Sequence, residues 1–92
     1  RIPGMSYSIR HQPRFAKKLL KLDPQVARRI LRDLHELETL ENPALRCKPL
    51  RGPLKGLWRY RAGDYRVILD IHDDELLIIA LDTDHRSTIY DD

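Results

Sequence analysis

Apolar residues keep a helical spacing up to Leu40 and a strand spacing from Leu57 onward, and this change of period limits the architecture more than any other feature. Phe15, Ala16, Leu19, Leu20 and Leu22 recur at helical intervals, while Arg14, Lys17, Lys18 and Lys21 take the wet side. Pro13 suits the first position of that helix, where a missing N–H does no harm. Asp23-Pro24 reads as a second helix start, an acid at the N-cap followed by proline. Val26, Ile30, Leu34, Leu37 and Leu40, widened by Leu31, form the second stripe, and Asn42-Pro43 ends it. The pair is an α-helical hairpin. After a loop over 44–56, punctuated by Pro49, Gly52, Pro53 and Gly56, Leu57-Trp58-Arg59-Tyr60-Arg61 alternates. Ala62-Gly63-Asp64 turns the chain, Tyr65 to Ile71 alternates again, and His72-Asp73-Asp74 turns it once more. Leu76 to Leu81 is almost continuously apolar, as a mid-sheet strand would be.

Tyr7-Ser8-Ile9-Arg10 adds a short first strand. The expectation is an α+β fold in the order β-α-α-β-β-β, with the N-terminal strand and helical hairpin packed on one face of an antiparallel sheet. Ninety-two residues suffice for one domain, taken as 5–92. Residues 1–4 precede Met5, which reads as a natural start, and are set aside as a remnant.

Charge is unevenly placed. The net charge is only +3. Yet Arg46, Lys48, Arg51, Lys55, Arg59, Arg61 and Arg66 fall in one stretch against a single acid, Asp64. Acids gather elsewhere, at Asp33, Glu36, Glu38 and Glu41 and again from Asp70 onward. Strand parity sends Trp58 and Tyr60 one way and Arg59 and Arg61 the other; Tyr65, Val67, Leu69 and Ile71 share a face, opposite Arg66, Ile68 and Asp70. The apolar sets should meet the helices. Arg59, Arg61 and Arg66 then stand together on the open face, where three guanidinium groups repel one another unless an anion meets them. The planar guanidinium matches phosphate oxygens two at a time, so a nucleic-acid backbone is the first partner to consider. Trp58, Tyr60 and Tyr65 are expected in the core rather than stacked on bases.

Several function classes drop out. One cysteine, Cys47, cannot form an internal disulfide and is expected to be inert. No apolar run approaches the ~18 residues of a membrane span. A cytoplasmic location is expected, without a membrane partner. His11, His35, His72 and His85 are scattered and no carboxylate cluster has ligand spacing, so neither a metal nor another cofactor is expected.

The chain resembles the RelE/ParE superfamily of toxins, on its RelE-type side. The resemblance covers nearly everything from Met5 on. It rests on the helical hairpin of residues 13–41, on Lys48-Pro49-Leu50-Arg51-Gly52, on the run from Gly56 through Trp58-Arg59-Tyr60-Arg61 to Ile68, and on the closing His85-Arg86-Ser87-Thr88-Ile89-Tyr90. It implies a toxin of a type II toxin–antitoxin module that enters the ribosomal A site and cleaves messenger RNA, held inactive by a cognate antitoxin. Carried over by position, the family's basic catalytic pair falls on Arg59 and Arg66, with Arg61 adjacent, and its aromatic residue on Tyr90. His85 adds an acid/base candidate and Arg86 a further cation. Two positions depart from the pattern: Leu57 stands where well-studied members carry lysine, and Asp84 where arginine is frequent.

Metal-free RNA cleavage uses the substrate 2′-hydroxyl as nucleophile, so it needs a base, an acid for the leaving 5′-oxygen and cations for the phosphorane. Arg59 and Arg66 are expected at the phosphorane, and His85 and Tyr90 jointly at proton transfer. These four side chains are expected to converge on the open face. Lys48, Arg51, Lys55 and Arg61 would bind RNA, and the helix cations, among them Arg14 and Lys18, would dock on ribosomal RNA. The antitoxin is expected on leftover apolar surface of the helical hairpin. Two alternatives remain open: a ParE-like toxin that poisons DNA gyrase, and a non-catalytic module that binds RNA or antitoxin.

Overall fold

The computed structural model describes residues 6–85. Strand β1 (Ser8–His11) leads into helices α1 (Pro13–Leu20) and α2 (Pro24–His35), and the chain then crosses to β2 (Cys47–Pro49), β3 (Trp58–Ala62), β4 (Tyr65–His72) and β5 (Leu77–His85). The sheet order is β1-β5-β4-β3-β2. The α+β architecture is as expected, with three differences. β1 pairs parallel with β5, because the helical hairpin carries the chain across the sheet before β2 begins at the far edge. The stretch expected to be a loop contains the short strand β2, paired antiparallel with β3. Helix α2 stops at His35, and Leu37 of its stripe is buried from a 3-10 turn, Glu36–Thr39.

Local chemistry accounts for the ends of these elements. Asp23 caps α2 by accepting a hydrogen bond from the Gln25 backbone N–H at 2.8 Å, and Pro24 follows it. The β3–β4 connection is two residues long, and Gly63 holds φ 62°, the left-handed value such tight hairpins need. The β4–β5 turn is tied to the first strand: the Tyr7 hydroxyl donates to the Asp73 carboxylate and the Ser8 N–H to the Leu76 carbonyl. The reading of residues 1–4 as a remnant lies outside the described residues.

One core lies between the helices and the sheet. Phe15, Leu19, Ile30 and Leu34 meet Tyr60, Ala62, Val67, Leu69, Ile78 and Ala80. Trp58 and Tyr65 pack against this cluster, and Tyr60 donates its hydroxyl to the Asp33 carbonyl at 2.9 Å. The aromatics are therefore core, as parity required. Leu20, expected on the inner stripe, is instead 86% exposed. Leu34 is fully buried, and truncating it leaves a cavity the rigid sheet cannot fill. Leu34→Ala should lower the unfolding free energy in urea by about 3 kcal/mol; a loss below about 1 kcal/mol would contradict this packing.

Candidate nucleic-acid interface

The β-ladders set out the face opposite the helices in rows. Lys48 of β2 lies opposite Arg59 of β3, which lies opposite Ile68 of β4, which lies opposite Asp82 of β5. In the next row Arg61 lies opposite Arg66, and Arg66 opposite Asp84. Directly opposed residues of antiparallel strands share a face, so Lys48, Arg59, Arg61 and Arg66 form one cationic patch bounded by two acids. Arg59 and Arg66 are half-buried, while Arg61 and Lys48 are exposed. Like charges this close favour a bound anion, and partial burial weakens the screening that would otherwise mute them.

An irregularity in β5 produces this arrangement. Leu69 pairs with Ala80 but Ile68 pairs with Asp82, which leaves Leu81 as an extra residue. Without the extra residue Asp82 would stand opposite Val67, on the buried face. With it, Thr83 takes that place, 1% exposed, and its hydroxyl donates to the Arg66 carbonyl at 2.8 Å. The bulge therefore delivers Asp82 and Asp84 to the arginine rows and anchors the backbone beneath Arg66.

Lys18 reaches this margin from α1. Its Nζ lies 2.8 Å from Asp82 Oδ1 and 3.1 Å from Asp84 Oδ2, and Arg14 Nε lies 3.6 Å from Asp82 Oδ2. The hydrogen bond to Asp82 leads the causes that raise the Lys18 pKa above its ordinary value. These two helix cations thus serve acids of the same chain. Nothing in the sequence marked this, because only the bulge brings the acids within reach.

The remaining candidates separate. Arg51 and Lys55 are exposed on the β2–β3 connection, which Leu50 holds down, 5% exposed, by donating its N–H to the Leu57 carbonyl at 3.0 Å. His85 pairs with Tyr65, and their rings meet edge to face at 5.3 Å. It therefore leaves the sheet on the Tyr65 side, away from Arg66, and does not converge with the arginines as expected. The alternation restarted by the bulge is the reason. Arg86 and Tyr90 lie outside the described residues.

Cys47 is on β2 rather than in a loop, and burial pushes its thiol up to about 11, which leaves little thiolate at neutral pH. His72, at the far end of β4, differs from the reading that no carboxylates stand at ligand spacing. Its Nε2 lies 2.9 Å from Asp70 Oδ2 and its Nδ1 3.8 Å from Glu75 Oε2. With Asp74 and Glu75 it offers ligand atoms within 4.8 Å of one another, all on the open turn. Asp70, first through its hydrogen bond, raises the His72 pKa above the ordinary 6.5.

Comparison with known proteins identifies the family. Residues 9–90 match the profile of the family described as the ParE toxin of the type II toxin–antitoxin system parDE. The chain belongs to the RelE/ParE toxins of type II toxin–antitoxin systems. Toxin RelG of Mycobacterium tuberculosis is 32% identical over 87 residues, covering 94% of this chain and 98% of that protein. Among solved structures, the toxin–antitoxin complex RelBE2 of M. tuberculosis superposes with a TM-score of 0.80 at 27% identity, over 95% of this chain and 99% of the other. The archaeal RelE–RelB complex of Pyrococcus horikoshii gives 0.70 at 28% identity, over 92% and 100%. Both of these RelE/ParE relatives were solved with an antitoxin bound. Among the described residues, no helix is long and apolar enough to cross a membrane.

The His72 cluster supplies a pH test of the toxin fold. An imidazole whose pKa is raised by folding stabilises fully below its unfolded value, and that contribution is lost as pH rises through the raised value. The stability gap between wild type and His72→Gln should therefore be widest near pH 5.5 and close by pH 8 in urea titrations. A gap that widened with pH would contradict the Asp70 pairing.

Proposed function

We propose that this toxin is a ribosome-dependent, metal-free endoribonuclease that cleaves messenger RNA in the A site. The observation that carries the reading is the cationic patch of Lys48, Arg59, Arg61 and Arg66, in two adjacent rows on the face the helices leave open. A phosphodiester laid on this face meets forked donors from adjacent strands, held at the spacing of a β-ladder. Guanidinium groups stay charged throughout, so Arg59 and Arg66 stabilise the phosphorane rather than move protons. The substrate 2′-oxygen attacks the adjacent phosphorus as its proton passes to a base. The bond from phosphorus to the 5′-oxygen breaks as an acid protonates that oxygen, leaving a cyclic phosphate and a 5′-hydroxyl.

Tyr90 is assigned to proton transfer and Arg86 to the phosphate. His85, packed on Tyr65 on the other side of the sheet, is assigned no step at the phosphate. Arg51 and Lys55 extend the contact along the RNA strand. The partner that silences the toxin is an antitoxin of the kind bound to the two structural relatives. The exposed Leu20 on α1 is apolar surface for it. The action is set in the cytoplasm, where ribosomes and messenger RNA are found.

The matching family profile carries the ParE name, which favours one second reading, poisoning of DNA gyrase. Programmed ribosomes with primer extension, run beside a gyrase cleavage assay, separate the two. Wild type should cut messenger RNA. Arg66→Ala or Tyr90→Phe should slow cutting at least ~100-fold without loss of antitoxin binding, and His85→Gln should slow it less. Equal cutting by both substituted proteins would refute the site, and gyrase–DNA complexes without RNA cuts would select the rival.

A further inference from the structure

We propose that Lys18 is a positioning residue for the arginine face: it draws the carboxylates of Asp82 and Asp84 toward α1 and weakens their hold on the arginines that RNA phosphate must engage. The proposal rests on the reading of this face as an RNA site, and concerns how that site is kept open to its substrate.

The cross-strand rows create the problem that Lys18 answers. Asp84 stands directly opposite Arg66, and Asp82 stands in the row of Arg59 and Lys48. A carboxylate beside a guanidinium offers the same pair of oxygens that a phosphate does. Any incoming phosphodiester therefore competes with a resident anion. Lys18 supplies a second claim on both carboxylates, at 2.8 Å and 3.1 Å, and Arg14 adds a weaker one on Asp82 at 3.6 Å. An ammonium has three donors, so one lysine can serve two acids at once.

The helix makes this hold directional. Phe15 and Leu19 bury α1 at 0% and 8% exposure, so Lys18 projects from an anchored turn. The Lys18, Asp82 and Asp84 side chains are 31%, 27% and 44% exposed, shielded more than a free surface pair and screened less by salt. Removal of the ammonium takes from the two carboxylates a positive charge at 2.8 Å and 3.1 Å, leaves Arg14 at 3.6 Å from Asp82, and lets their rotamers shift toward Arg66.

A direct contact between Lys18 and RNA is the competing role, and a double-mutant cycle separates them by sign. As a phosphate contact, Lys18 would gain from removal of its acids, so Asp82→Asn with Asp84→Asn would help most when Lys18 is present. As a positioning residue, it makes those substitutions matter most when it is absent. The measurement is single-turnover cutting of messenger RNA on programmed ribosomes against toxin concentration, with melting temperature recorded for each variant.

Lys18→Met should raise the half-saturating toxin concentration roughly fivefold, the size of one screened charge, with less effect on the maximal rate. Lys18→Arg, which keeps the pairs, should behave as wild type. The pair of asparagine substitutions alone should stay within about twofold of wild type, and added to Lys18→Met they should restore it. Lys18→Met at parity with wild type, or a combined variant no better than Lys18→Met, would overturn the proposal. A wild type that cuts no messenger RNA would instead remove the nuclease reading beneath it.

Discussion

Burial of one face of β3, β4 and β5 under the two helices is the constraint from which the rest follows. Val67, Leu69, Ile78 and Ala80 are each fully buried and alternate with residues that must point away. A slip of one residue in β4 would exchange Val67 and Leu69 for Arg66 and Ile68 beneath α2. Burying an arginine without a partner costs several kcal/mol, so that slip is closed to the chain. The core therefore positions the cations. No separate device is needed to place Arg59, Arg61 and Arg66 side by side.

The bulge at Leu81 modifies this rule at the margin. It lets β5 present Thr83 to the core while Asp82 and Asp84 join the arginine rows. A patch made of cations alone would bind anions indiscriminately and repel itself. Asp82 and Asp84 bound the patch on the β5 side, and Lys18 and Arg14 on α1 share the charge of those acids. Sheet and helix thus act jointly on the electrostatics of one face.

Much of this was legible in the residues. Alternation in Leu57–Arg61 and Tyr65–Ile71 gave the strands, the hairpin and the face of each arginine, because strand parity needs no knowledge of tertiary structure. The helical stripes located both helices, although Leu20 lies outside the burial its spacing suggested. Parallel pairing of β1 with β5 was not legible, since it depends on where a crossover returns the chain. The bulge was equally hidden: Asp82, Thr83 and Asp84 read as a polar tail after an apolar strand. That single extra residue also turned His85 to the Tyr65 side, against the convergence expected of it.

The central claim is that the open face of the sheet holds RNA phosphates on Lys48, Arg59, Arg61 and Arg66. The most direct test is the salt dependence of binding to a short single-stranded RNA carrying a 2′-deoxy block at the cut site. Each neutralised phosphate contributes about −0.7 to the slope of log affinity against log salt. Arg59→Gln, Arg61→Gln and Arg66→Gln should each flatten the slope by nearly that amount, while Arg28→Gln on the outer face of α2 should leave it unchanged. Slopes equal to wild type for all three sheet arginines would contradict the account.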